Sequence, residues 1–438
     1  MTTDSSRGRQ RRRLTATITD LERPRQKVFL VGVLSRGTSA VEAERSLDEL
    51  ALLIDTAGGD PVDSELVRRD VIDPALFIGS GKASELADLT RATDIDTVVF
   101  DSPLSPAQQR NLQKLFECDV VDREAVILDI FAQHATSRIG AIQVELALLR
   151  YNLPRLRGKG TSLSQQAGGI GARRGPGETK LETDRRRIER RITRLERDLK
   201  DFDRTRETQT KARRRSQIPV VSLVGYTNAG KSTLLNTLTG AGVLTEDRLF
   251  STLDSTVRKY ELPSGRSILL SDTVGFVRRL PHHLIEAFRS TLDQVKEADL
   301  LLHLVDASDP DPERQIEAVR TVLSEIDAGH LPEIIVINKA DQAEPATVKR
   351  LANLHPNAVI ISALTGEGIH SLADVIGTVL DADRTVVRLE VPYARGDIVA
   401  AAHAEGEVVA EKHDDSGTII DVRLPRSRVK AFAEFQVS

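Results

Sequence analysis

Tryptophan is absent from this 438-residue chain, which holds only 4 tyrosines, 11 phenylalanines, one methionine and one cysteine. The lone Cys118 excludes an internal disulfide and supplies no Cys-x-x-Cys zinc pattern, so a reducing cytosol is the expected compartment. Long hydrophobic runs are also missing. The stretch 300–305 is among the longest, far short of the roughly 20 apolar residues that span a bilayer. Arg7, Arg9, Arg11, Arg12 and Arg13 crowd the start of the chain with no apolar stretch behind them, which argues against a secretory signal. These absences predict a soluble, cytoplasmic protein with no membrane span. His134, His282, His283 and His303 have neither carboxylate nor cysteine partners at ligand spacing, so solvated or internally satisfied histidines are expected in place of a metal centre.

The net charge of −4 averages unlike parts. Residues 151–220 hold 20 Lys/Arg against 9 Asp/Glu, a net of +11, and the remainder holds 41 against 56, a net of −15. A block of this kind either solvates an exposed helix or meets a polyanion. The length suits about three domains. The pattern predicts a multidomain α/β protein: a basic tail over 1–25, an N-terminal α/β domain over 26–121, a helical hairpin over 122–216, a nucleotide-binding domain with a mostly parallel sheet over 217–384, and a small C-terminal α+β domain over 385–438. In the hairpin, apolar residues recur at helical intervals from 122 to 151, which predicts one long helix. Ile188, Ile192, Leu195 and Leu199 then form a narrow coiled-coil-like seam. The 158–177 tip between them is Gly-rich, basic and longer than an ordinary connection, hence a candidate functional loop.

The chemistry is concentrated in four segments. Gly225-Tyr226-Thr227-Asn228-Ala229-Gly230-Lys231-Ser232 follows an apolar run and precedes a helix-like stretch, the setting of a phosphate-binding loop. Its glycines let backbone N–H groups wrap phosphates, Lys231 neutralises their β and γ oxygens, and the Ser232 hydroxyl ligates Mg²⁺ at a helix start. Asp272-Thr273-Val274-Gly275 places a carboxylate after a strand, where it orients the Mg²⁺ shell, and the Gly275 N–H senses a γ-phosphate. Asn338-Lys339-Ala340-Asp341 offers an amide and a carboxylate; the carboxylate accepts from the two N–H donors of guanine, which adenine lacks. Ser362-Ala363-Leu364 follows the next strand and offers a backbone donor to the guanine carbonyl. Between the first two segments lies Phe250-Ser251-Thr252-Leu253-Asp254, and either Thr252 or Thr256 could complete the Mg²⁺ shell when γ-phosphate is present. GTP and GDP are the expected ligands, with Lys231, Thr252 and Gly275 nearest the chemistry.

Phe276 occupies the position where Ras-like switches carry a glutamine that orients the attacking water. A phenyl ring cannot do so. A low intrinsic rate follows, with help from another residue, a monovalent cation or a partner; a completing group is worth roughly 10³ to 10⁵ in rate. In the N-terminal domain, Gly79-Ser80-Gly81-Lys82 is too short for a second phosphate loop and predicts a structural βα turn.

At this point the chain resembles the HflX GTPases from residue 27 to its end. The most specific stretch is Ser164-Gln165-Gln166-Ala167-Gly168-Gly169-Ile170-Gly171 running into Arg174-Gly175-Pro176-Gly177-Glu178-Thr179-Lys180, with the hydrophobic Phe276 as the family's substitute for glutamine. The resemblance implies binding to the large ribosomal subunit through ribosomal RNA, entry of the hairpin tip near the peptidyl-transferase centre, and splitting or rescue of stalled ribosomes under stress. It favours Thr252 as the second Mg²⁺ ligand. It also aligns Asn228 with a potassium-binding asparagine, which leaves K⁺ dependence open. The tip has no aromatics for base stacking, so phosphate contacts by Lys159, Arg173, Arg174 and Lys180 are expected. A monomer is expected. The alternative class is a GTP-dependent switch that recruits a protein or an RNA-modifying partner; a protein-recruiting arm would not need the basic Gly-rich tip.

Overall fold

The computed structural model describes residues 25–37, 39–156, 176–215, 218–240, 249–250, 256–273, 275–277, 289–382, 384–414, 416–425 and 429–437. The chain divides into two compact units, Met1–Leu195 and Glu196–Ser438. Among the described residues no helix is long and apolar enough to cross a membrane.

The first unit is built on strands β1 (Gln26–Leu34), β2 (Gly59–Arg68), β3 (Thr97–Phe100) and β4 (Asp119–Asp122), in the order β2-β1-β3-β4. All three pairings are parallel. Helix α1 (Ala40–Thr56) starts where the Ser39 side chain accepts from the Glu42 N–H, and it buries Ala43, Leu47, Leu50, Leu53 and Ile54 along one helical stripe. Helix α2 (Ser80–Ala92) begins within the 79–82 segment, with Gly79 as its N-cap at φ +83°. In its first turn Lys82 Nζ is 2.7 Å from Glu65 and 2.8 Å from Glu85. Helix α3 (Pro106–Phe116) opens with a complete capping box between Ser105 and Gln108 and closes at Glu117 in the left-handed conformation.

The single long helix expected over 122–151 is two helices, α4 (Arg123–His134) and α5 (Arg138–Asn152). Ala135 is extended, and the Ser137 side chain accepts from the Gly140 N–H to start the second helix. Serine competes for backbone donors in this way and so favours caps over helix interiors. Further on, α6 (Pro176–Arg215) buries Leu195 and half-buries Ile188 and Ile192. Its Arg191 guanidinium forks onto Glu145 of α5 with two bonds of 2.7 Å.

A polar network locks α4 to the sheet. Arg123 is 3% exposed, with Nη2 2.6 Å from Asp101 Oδ1, Nη1 3.1 Å from Glu49 Oε2, and a further bond to the Ser46 carbonyl. The fully buried Asp122 accepts from the Tyr151 hydroxyl at 2.9 Å and from the Leu104 N–H at 3.0 Å.

The second unit holds a six-stranded sheet in the order β10-β9-β8-β5-β7-β6. Its strands are β5 (Val220–Gly225), β6 (Val257–Glu261), β7 (Ser267–Asp272), β8 (Leu300–Asp306), β9 (Glu333–Asn338) and β10 (Val359–Ile360). Every pairing is parallel except that of β6 with β7. β5 and β8 are near-continuous apolar runs, as strands covered on both faces must be. A separate antiparallel sheet, β12-β13-β11-β14, comprises β11 (Arg384–Val391), β12 (Glu407–His413), β13 (Thr418–Pro425) and β14 (Gln436–Val437). The helix Gly396–Glu405 packs against it over Leu389, Ile420, Val422 and Leu424.

His303, on β8, is buried with its Nδ1 2.6 Å from Glu333 Oε1. Glu333 also takes a bond of 2.7 Å from Arg320. Burial holds His303 below its ordinary 6.5, outweighing Glu333. Burial would raise Glu333, but the bonds from His303 and Arg320 prevail and hold it at about 2.

Two outcomes are expected. Arg123→Ala leaves Asp101 and Glu49 without their cation and destabilises the first unit by about 3–5 kcal/mol, read by urea denaturation. For His303 the unfolded chain takes up a proton below pH 6.5 while the folded one resists, so stability falls as pH drops through that value. A second loss, from Glu333, follows between 4.5 and about 2. His303→Asn keeps an amide donor near Nδ1, so melting curves against pH should lose the first slope and retain the second.

Candidate nucleotide site

The site forms at the carboxyl edge of the parallel sheet, where β5, β7, β8 and β9 all end. β5 runs into the phosphate loop, and α7 (Lys231–Thr239) leaves it. Gly230 caps α7 with φ +92°, and a Cβ there would stand 2.2 Å from Asn338 Nδ2. Only glycine fits that turn. Tyr226, Thr227 and Ala229 are buried, while Asn228 is exposed with φ +61°.

Lys231 is buried under its own loop. Its Nζ donates to the Gly225 carbonyl at 3.1 Å and the Tyr226 carbonyl at 2.8 Å. An ammonium has three donors, so one is left for a phosphate oxygen. Burial pulls its pKa down to about 8, against the attraction of Asp272, and a phosphate would favour the charged form. Ser232 Oγ donates to Asp272 Oδ2 at 2.8 Å, which joins the first two segments. Thr273 Oγ1 donates to the Leu223 carbonyl at 2.6 Å and fixes the strand end.

Asn338 joins the remaining segments. Its Nδ2 donates to the Ala229 carbonyl at 2.8 Å, and its Oδ1 accepts from the Ala363 N–H at 2.9 Å. The amide expected to serve the base thus links three loops, and the Ala363 donor points to it. Lys339 lies at φ +58° with Nζ 2.7 Å from Asp306, Ala340 N–H donates to the Ile361 carbonyl, and Asp341 is exposed. Ser362 is buried, its hydroxyl accepting from Thr365 N–H at 3.2 Å, while Leu364 is exposed. Thr237 Oγ1 donates to the Ala363 carbonyl at 2.7 Å and ties α7 to the same corner.

Phe276 has a role that its side chain did not announce. Its ring is buried, and its main chain bridges to the phosphate loop: the Phe276 N–H donates to the Gly225 carbonyl at 3.2 Å, and its carbonyl accepts from the Thr227 N–H at 2.7 Å. Phe250 is buried at φ +59°, and the Thr256 carbonyl accepts from the Asp272 N–H at 2.9 Å. The expectations for Ser251, Thr252, Leu253, Asp254 and Val274, for Lys159, Arg173 and Arg174, for His282 and His283, and for the Lys180 side chain fall outside the described residues. The bridges from Asn338, Thr237 and the Phe276 main chain have no signature in local spacing, because each closes across the fold.

Three family models match the chain: the GTP-binding GTPase N-terminal region over residues 44–132, the GTP-binding GTPase middle region over 134–213, and the 50S ribosome-binding GTPase over 220–339. A protein named GTPase HflX from Lacrimispora saccharolytica is 43% identical over 95% of this chain and 97% of its own. GTPase HflX from Escherichia coli is 43% identical over 86% of this chain and 89% of its own. Among solved structures, a GTP-binding protein from Sulfolobus solfataricus in complex with GDP is 22% identical, covers 82% of this chain and 99% of that one, and superposes with a TM-score of 0.43.

Asn338→Ala removes one amide and frees two buried partners. Each orphaned group costs about 1–3 kcal/mol, so affinity for both GTP and GDP should fall at least tenfold in calorimetric titration, with the fold retained.

Proposed function

The chain belongs to the HflX GTPase family, and on that premise we propose that this GTPase binds the large ribosomal subunit and dissociates or rescues stalled ribosomes under stress. The observation that carries the reading is the pairing of two features in one chain: a guanine-nucleotide site whose Phe276 offers only a buried ring, and a segment of net +11 just before it. The first lacks the side chain that orients water. The second suits a phosphate backbone. A ribosome-stimulated cycle accounts for both.

In this cycle Lys231 takes the phosphates with its remaining donor, Asp341 accepts from the guanine edge, and Asn338 keeps the two loops in register. Ser232 Oγ and the Asp272 carboxylate are hard oxygen donors 2.8 Å apart, a set suited to Mg²⁺, with Thr252 as a further ligand. Bound there, the ion would neutralise charge on the β- and γ-phosphates. Asn228 is the residue toward which a K⁺ requirement would point. Lys159, Arg173, Arg174 and Lys180 are the proposed contacts to ribosomal RNA, in a cytoplasmic monomer.

The test is GTP turnover with and without purified large subunits, in potassium and in sodium. Subunits should raise the rate by roughly 10³-fold or more. Unchanged turnover across subunit concentrations, in either salt, would rule out ribosomal stimulation and leave a recruiting switch.

A further inference from the structure

Thr227 is buried, with 6% of its surface exposed, and its Oγ1 has no hydrogen-bond partner among the described residues. A buried hydroxyl left unpaired costs free energy and calls for an explanation. Its main chain is fixed by the bond of 2.7 Å to the Phe276 carbonyl. Its side chain packs against Gly275: a Cβ built on that glycine would lie 2.7 Å from Thr227 Cγ2, 3.0 Å from Thr227 Cα and 3.2 Å from Lys231 Nζ. Thr227, Gly275 and the Lys231 ammonium therefore converge at one point. It is the side of the loop at which a γ-phosphate meets Lys231 and the Gly275 N–H.

Threonine carries a methyl and a hydroxyl of nearly equal size on one carbon. A rotation of about 120° about χ1 carries the hydroxyl into the staggered well the methyl now occupies, against Gly275, and moves the methyl into the well of the Cβ hydrogen. The rotation costs no bond, because the hydroxyl has none to lose among the described residues. A polar partner arriving at the Gly275 side would draw it round.

We propose that Thr227 is a water-positioning residue: its hydroxyl turns toward Gly275 and holds the attacking water against the γ-phosphate of GTP, the task that Phe276 cannot perform. The water oxygen forms a bond to the γ-phosphorus as the bond from that phosphorus to the β–γ bridging oxygen breaks, its electron pair staying with GDP. The proton lost by the water passes to the phosphate product. Thr227 accepts a hydrogen bond from the water and exchanges no proton. The proposal rests on GTP hydrolysis at this site and requires no ribosome.

Thr227→Val replaces the hydroxyl with a methyl of the same shape, and Thr227→Ser restores the hydroxyl without the methyl. Single-turnover hydrolysis by the full chain, measured without ribosomes, should show the valine variant slowed roughly ten- to hundredfold in kcat. KM and GDP affinity should stay within about twofold, and the serine variant should recover most of the rate. Three results would overturn the proposal: a valine variant as fast as the unaltered protein, a rise in KM with kcat unchanged, or a serine variant as slow as valine. None of them bears on whether large subunits stimulate turnover, so the ribosomal reading stands or falls separately.

Discussion

A single buried carboxamide holds the nucleotide site together. Asn338 sits at the end of β9, donates to the phosphate loop at Ala229, and accepts from Ala363 beyond β10. Those loops are 109 and 25 residues away along the chain. Their backbones carry donors and acceptors that must be satisfied wherever water is excluded. An amide can do this with one donor and one acceptor in fixed geometry, whereas a carboxylate could only accept and an aliphatic chain could do neither. Gly230 completes the arrangement by leaving room for that amide.

The sheet supplies the frame on which this works. Parallel strands ending at one edge bring the loops after β5, β7, β8 and β9 to a common level, the usual place for a ligand in an open α/β sheet. Burial of Leu300, Leu301, Leu302 and Leu304 fixes the central strand, and the loops inherit its position. The first unit solves a related problem with charge. Arg123 is enclosed by Asp101, Glu49 and the Ser46 carbonyl, an arrangement that repays desolvation only because nearly every donor of the guanidinium is used.

The same corner also holds Phe276. The buried ring of Phe276 cannot act on water, yet its backbone ties the Asp272–Gly275 segment to the phosphate loop. One residue thereby supplies no polar side chain and adds a main-chain link between the two loops. The methyl of Thr227, the residue whose N–H makes that link, lies beside Gly275.

Much of the fold was legible because it depends on neighbours in sequence. The strand before the phosphate loop read as an apolar run, and the loop itself as glycines ahead of Lys231-Ser232. The break between α4 and α5 was missed because a helical period continues across it while Ser137 takes the cap. Strand β6, Val257–Glu261, carries charged residues at the sheet edge and so leaves no apolar run. The segments of the candidate nucleotide site were thus legible in the sequence alone. Only the tertiary structure decided that Asn338 staples three loops, that Phe276 acts through its main chain, and that Thr227, whose hydroxyl has no partner among the described residues, packs against Gly275. Motifs are written in short-range spacing, whereas a hydrogen bond between distant loops exists only once the sheet has brought its donor and acceptor within 3 Å.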